Sequence, residues 1–290
     1  MATSVVLLSI SFLLLQVTIL PSTSAYASAT TTNNGESKET SAIVHSTIVL
    51  GEEGWENGSP SSIALNEKTN FVYVANRNSD TVVVIDGTTN KVVDSITVGF
   101  SPADVAVNPN TNFIYVTKLD VGIVSVIDGS TNRIIKNIEI DDSINFHHAG
   151  GIAVNENTNK IYVLTNNYPA GQASSYYASI SIIDGLTNEI ESFLKVTDLR
   201  VDYDVQDSAR DIAINSETNT IYVVFMFGDV YVIDADTNKV SGKITIGYGK
   251  TPHQVEVNGE TNMVYVSNFN NQSISVIDGS TNEIKSTVPV

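Results

Sequence analysis

The chain has 290 residues, 42% of them hydrophobic, and sets 15 lysines and arginines against 32 acidic residues, for a formal charge of −17. A chain of this length and apolar content buries a sizeable core as one domain, and its shortage of cations argues against nucleic acid and an anionic membrane surface as partners. The absence of cysteine removes disulfides, thiolate metal sites, a cysteine nucleophile and a lipidated N-terminal cysteine.

Residues 5–20 form an apolar run closed by Pro21, and small residues follow as far as Ala25-Tyr26-Ala27. This is the layout of a secretory signal peptide over residues 1–27, cleaved near Ala27. Because no Lys or Arg precedes the run, retention as a short membrane anchor is the alternative. No later apolar run is long enough to cross a bilayer, so no transmembrane span is expected after signal removal, and the chain is expected to be secreted or at the cell surface. Residues 28–41 are Ser, Thr, Asn and Gly with scattered charge and read as a flexible leader.

From residue 42 onward one phrase returns five times: an Asn-rich turn, Tyr-Val, an aliphatic pair ending in Asp, and a second polar turn. The copies are Tyr73-Val74 with Ile85-Asp86, Tyr115-Val116 with Ile127-Asp128, Tyr162-Val163 with Ile183-Asp184, Tyr222-Val223 with Ile233-Asp234, and Tyr265-Val266 with Ile277-Asp278. The aspartates are 42, 56, 50 and 44 residues apart. Self-similarity at this period marks a repeat architecture, and the longer intervals mark insertions, which on a repeat scaffold are where specificity is added. The units run over about residues 59–99, 100–140, 147–196, 207–247 and 250–290.

Within each unit the apolar residues alternate or cluster over short β-branched runs, bounded by turns rich in Asn, Asp and Gly. The second unit reads as strands at 104–108, 113–117, 123–128 and 134–140. Four short antiparallel strands per unit make the blade of a β-propeller, an all-β fold. Asn and Asp at the turns, such as Asn112 and Asp128, read as turn formers that tolerate left-handed backbone, and the repeated Tyr as a sheet-packing residue.

These residues resemble the YVTN-repeat β-propellers, secreted and surface-layer proteins of archaea and bacteria. The pattern of Pro, Ile-Ala-Val-Asn, an Asn turn, Tyr-Val-Thr-Asn, Val-Ile-Asp and Thr-Asn runs through residues 60–90, 102–132 and 252–282. The prolines give way to Ala149 and Ala209 in the third and fourth units, and Phe225-Met226-Phe227 replaces an Asn-rich loop. Residues 43–51 match the fourth-strand pattern of residues 92–99, so an extra N-terminal outer strand precedes five full units. Five blades are expected, with that strand competing at the seam; an incomplete or six-bladed ring that finishes itself by self-association is the alternative.

By the resemblance, binding occurs on the face that carries the links between blades and the loops between second and third strands. That face would hold Trp55, Asp104, His147, His148, Arg210, Asp211, His253 and Gln254, with the insertion at 167–179 adding Tyr168, Tyr176 and Tyr177. The histidines are of a type that holds a transition metal or moves protons, against the plainer reading of a polar channel mouth. The second insertion, 197–208, sets Asp198, Asp202, Asp204 and Asp207 along one acidic loop, a candidate Ca²⁺ site without the Gly and closing Glu of an EF-hand. No other cofactor is expected. Asn57 and Asn271 are glycosylation acceptors if the chain is exported.

No nucleophile elbow, phosphate loop or zinc-protease motif is present. The leading expectation is a non-enzymatic module that binds a protein or glycan at the cell envelope through its channel-mouth face. The alternatives are an extracytoplasmic propeller enzyme, a lactonase-like hydrolase or metal-dependent redox protein, and a structural surface-layer or adhesion module.

Overall fold

A computed structural model describes residues 5–7, 16–18, 48, 59–118, 121–140, 146–168, 177–198, 201–202 and 205–290. Five four-stranded antiparallel sheets, each a simple up-and-down meander, stand around a common channel as a five-bladed β-propeller. Blade 1 comprises Pro60–Asn66, Phe71–Asn76, Thr81–Asp86 and Lys91–Thr97. Blade 2 comprises Pro102–Asn108, Phe113–Lys118, Ile123–Asp128 and Arg133–Glu139. Blade 3 is longer, with Phe146–Asn155, Lys160–Tyr168, Tyr177–Asp184 and Glu189–Asp198. Blade 4 comprises Ala209–Asn215, Thr220–Phe225, Asp229–Asp234 and Lys239–Thr245. Blade 5 comprises Pro252–Asn258, Met263–Asn268, Ser273–Asp278 and Glu283–Pro289. Two short strand pairs lie outside the blades, Val5–Leu7 with Gln16–Thr18 and Val201–Asp202 with Val205–Gln206.

The turns follow from asparagine. In every blade the turn from first to second strand and the turn from third to fourth end on an Asn at positive φ, from Asn70 (57°) and Asn90 (55°) to Asn262 (52°) and Asn282 (57°). An ordinary side chain there costs about 1–2 kcal/mol, which Asn reduces by bonding locally. Where the two turns of one blade meet, Gly129 donates its N–H to the Asn112 carbonyl at 2.9 Å, and a Cβ on Gly129 would lie 2.6 Å from Asn112 Oδ1. Ala235 holds the same place in blade 4.

Each blade has two unlike faces. One carries the repeated Tyr, the other Val and Ile, and the Tyr face of one blade packs on the Val/Ile face of the next. At the first junction Tyr73, Ala75, Val82, Val84, Ile96 and Val98 meet Val105, Ile114, Val116 and Ile127. The junctions between blades 2 and 3, 3 and 4, and 4 and 5 repeat this arrangement. Burying each Val or Ile contributes about 1.5–3 kcal/mol, so the core is four inter-blade layers rather than one central mass. A polar staple seals each layer on the face away from the channel mouth. Asn66 Nδ2 donates to Asn112 Oδ1 (2.7 Å), Asn108 to Asn159 (2.7 Å), Asn155 to Asn219 (2.7 Å) and Asn215 to Asn262 (2.8 Å).

The fifth junction is built differently. Tyr73, Tyr115, Tyr162 and Tyr222 are fully buried, whereas Tyr265 is half-buried. Ile96, Ile138, Val196 and Ile244 are 5–7% exposed, yet their counterpart Val288 is 46% exposed and Val290 is 71% exposed. Among the described residues no bond joins Asn258 to Asn70, the pair that would make a fifth staple. The Val/Ile face of blade 1, Val72, Val74, Val83 and Ile85, packs instead against Ile48, Ile63 and Leu65. Ile48 occupies the place in its segment that Ile96 occupies in blade 1. Among the described residues no helix is long and apolar enough to cross a membrane.

Candidate functional site: the channel and its mouth

The links between blades and the loops between second and third strands are zipped together by backbone bonds, which places them on one face. Val98 N donates to Asp80 O (2.9 Å), Ile140 N to Gly122 O (2.8 Å), Ile246 N to Gly228 O (2.7 Å) and Phe269 N to Thr251 O (3.1 Å). Below this mouth lies a cavity of about 610 Å³ to which all five first strands contribute.

The first strands place Ser62, Asp104, Asp211 and Gln254 at one level of the cavity, and Gly151 holds the matching repeat position in blade 3. Asp104 Oδ1 accepts from Val105 N (2.8 Å) and from the Ser62 hydroxyl of blade 1, and Oδ2 accepts from Ile152 N of blade 3 (2.8 Å). Asp211 repeats the device, accepting from Ile212 N (2.9 Å) and from Val255 N of blade 5 (2.9 Å). These carboxylates therefore tie neighbouring first strands together across the channel wall. Gly151 has no side chain to offer, and a Cβ there would lie 2.7 Å from Asp211 Oδ1, so the small residue makes room for the neighbouring carboxylate.

One level away, four blades carry alanine, Ala64, Ala106, Ala153 and Ala213, and blade 5 carries Glu256. Its carboxyl is reached by solvent yet walled by protein. Desolvation raises its pKa and the charge of Asp104 adds to the effect. Desolvation also raises Asp104, against the opposing bonds from Ser62, Ile152 and Val105. Asp211 is pushed well above the ordinary carboxylate range by desolvation and then by Asp104. The cavity thus holds carboxyls inclined to keep a proton. At the mouth, His253 is biased toward its neutral form by desolvation and by Arg210.

Aromatic residues crowd the mouth over blades 4 and 5. Tyr248 is 70% and Phe269 69% exposed. Phe227 and Tyr248 have ring centroids 5.5 Å apart, and His253 and Phe269 6.5 Å apart. Arg210 donates to the Met226 sulfur at 2.6 Å. Arg210, Met226, His253 and the three rings of Phe227, Tyr248 and Phe269 therefore share one quadrant of the mouth.

Of the residues singled out from the sequence, Asp104, Arg210, Asp211, His253 and Gln254 all line the channel cavity. His147 and His148 lie in the first strand of blade 3, in register with Asn167 and Asn166. Tyr168 ends the second strand of that blade and pairs with Phe146. Trp55, Asn57, Tyr176 and Asp204 lie outside the described residues, as does the outer strand at 43–51 apart from Ile48. Tyr177 sits in strand rather than loop, because the first insertion lengthens the blade 3 hairpin until Asn167 pairs with Tyr177. Asp198 closes the fourth strand of blade 3 in an ion pair with Lys195, and Asp202 lies in the short pair that follows. Asp207 is buried, and its Oδ1 accepts from Ser208 N and Phe227 N, both at 3.0 Å. Among the described residues no group of three or more His, Asp or Glu is arranged to hold a metal ion. Asn271 is exposed in the loop of blade 5. The residues singled out from the sequence include Arg210 and His253 of the aromatic quadrant but not Glu256, Met226, Phe227, Tyr248 or Phe269. The signal for Glu256 was there, as the one acid at a position where the other four units carry alanine.

The model of the Lactonase family, a 7-bladed beta-propeller, matches residues 28–138, which is less than half of the chain and covers blade 1 and blade 2 as far as Ile138. No curated protein matches the chain.

Proposed function

We propose that the chain is a non-enzymatic binding propeller that works outside the cytoplasm and takes a protein or glycan partner on its mouth face. The observation that carries this reading is the mouth quadrant of Arg210, Met226, Phe227, Tyr248, His253 and Phe269. Aromatic residues, Met and Arg are the side chains enriched where partners are held, because they bury large areas and keep a polar handle. The best-placed acids of the cavity support the same reading, since Asp104 and Asp211 spend their oxygens on backbone N–H groups of neighbouring strands. The apolar run before Ala27 and the likeness to YVTN repeats support the setting.

The test is capture from a cell-envelope extract by the immobilised full chain, against a Tyr248→Ala/Phe269→Ala variant of matched melting temperature. A partner held by the parent and lost by the variant is expected. Equal recovery by both would remove the mouth quadrant as the binding surface.

The match to the Lactonase family supports a second reading, a lactone hydrolase whose acid and base come from the channel carboxyls. Lactone opening followed by pH-stat, with Glu256→Gln and Asp211→Asn as controls, decides it. Turnover in the parent that falls in either variant would move the protein to the hydrolase class.

A further inference from the structure

A second cavity, of about 720 Å³, lies on the flank of blade 3, away from the channel. It is formed where the first insertion lengthens the hairpin, so that Asn166 pairs with Ala178 and Asn167 with Tyr177 beyond the length of the other blades. Alternate residues of the paired strands face one side. That side presents a row of amide and hydroxyl groups, Thr165, Asn167, Ser179 and Ser181, between the rings of Tyr177 and Phe193.

One member of the row is unfinished. Thr165 is 3% exposed, and its hydroxyl has no hydrogen-bond partner among the described residues. Buried hydroxyls are almost always paired, so an unpaired one at a cavity wall asks for a group from outside. Its neighbour Asn167 is held rigidly, with Nδ2 donating to Ser179 Oγ at 2.8 Å and to Tyr177 O at 3.3 Å. Phe193 is 61% exposed although it lies in a regular strand, which leaves one ring face open beside the row.

Charge narrows the ligand class. The described wall holds the exposed carboxylate of Glu139 and one cation, Lys195, which is engaged by Asp198 and lies 5.2 Å over the Tyr177 ring. Among the described residues an anionic ligand therefore finds no spare cation, a cationic one finds only a solvent-screened carboxylate, and an apolar one would leave Thr165 unsatisfied. A neutral molecule with hydroxyls on its edges and C–H groups on its faces satisfies both parts, because hydroxyls both donate and accept and an aromatic face attracts polarised C–H. We propose that the flank of blade 3 is a binding site for a neutral oligosaccharide of two or three residues, a size that suits a cavity of this volume. The site is separate from the aromatic quadrant of blades 4 and 5, so this inference and the proposed function stand or fall independently.

Isothermal titration of the full chain with maltotriose, cellotriose and N,N′,N″-triacetylchitotriose tests it. At least one is expected to saturate the protein, and Phe193→Ala and Thr165→Val are each expected to weaken that sugar at least tenfold. Thr165→Val removes an unsatisfied hydroxyl, so it should also raise the melting temperature, and affinity and stability then move in opposite directions. A Thr165 that only packs would leave affinity untouched. Leu186→Ala, at an exposed hairpin turn of the same blade, should change neither. No saturation by any of the three sugars, unchanged affinity in both flank variants, or loss only on changing Tyr248 and Phe269 would each overturn the proposal.

Discussion

Asn108 serves two sheets at once. Its Oδ1 accepts from Asn110 N (2.9 Å) and Thr111 N (3.3 Å), which closes its own turn, while Nδ2 reaches Asn159 of the next blade. Removing it leaves buried donors and an acceptor unmatched, so Asn108→Ala is expected to cost about 1–3 kcal/mol in urea unfolding. Asn258 closes its turn through Thr261 N alone, with no staple beyond it, and Asn258→Ala is expected to cost about 0.5 kcal/mol. Equal losses at the two positions would show that turn closure, not the staple, is what these asparagines supply. Glu256 gives a pH signature at the same scale. A carboxyl whose folded pKa is raised stabilises fully only below its unfolded value, about 4.3, and the contribution is lost as pH rises through the folded value. Glu256 faces Asp104 and Asp211, with Arg210 and His253 toward the mouth. Glu256→Ala, which restores the residue of the other four units, is therefore expected to melt above the parent at neutral pH. The difference should close as pH falls toward the carboxylate range, and thermal melts across that range check it.

Between elements, the repeated tyrosines face the polar turn of the following blade. Tyr115 OH donates to Asn188 Oδ1 at 2.8 Å, and desolvation with the charge of Asp184 holds its pKa far above the ordinary phenol value. Tyr73 fills the same place in blade 1, but among the described residues neither its hydroxyl nor Oδ1 of Asn132, the counterpart of Asn188, has a partner. Tyr115→Phe is expected to cost about 1 kcal/mol and Tyr73→Phe close to nothing, read from denaturant midpoints. This level was half legible in the sequence. Strands of blade 2 were readable to within two residues, because β-branched alternation and Asn turns are local properties of the chain. The tyrosine was readable as a packing residue, but its partner, 73 residues away for Tyr115, was not. The same holds for Asp104 and Asp211. Both were placed at the channel from their repeat position, yet their role as ties between strands depends on which blade stands next, and no local pattern encodes that. The insertion at 167–179 was legible as extra length. That it would extend a hairpin, and so create a second cavity, follows from pairing between Asn167 and Tyr177, whose flanking residues carry no strand-like alternation.

Across the whole molecule, four junctions are alike and one is not. Ile138 and Val288 occupy the same repeat position, at 5% and 46% exposure. Ile138→Ala is expected to cost about 2–5 kcal/mol, as for other core truncations. Val288→Ala, at the uncovered face, is expected to cost about 0.5 kcal/mol. Similar losses would mean that the fifth junction closes in solution. Repeat proteins behave as chains of units with nearest-neighbour coupling. Among the described residues, blades 2, 3 and 4 are each gripped on two flanks by a sealed layer and blade 1 by one such layer and the packing of Ile48, whereas blade 5 is gripped on one flank. The molecule therefore has a direction. It should fray from blade 5 like a rope with one unbound strand, and brief digestion with trypsin should cut first at Lys250, in the link before blade 5, and release a fragment in which the first four blades remain assembled.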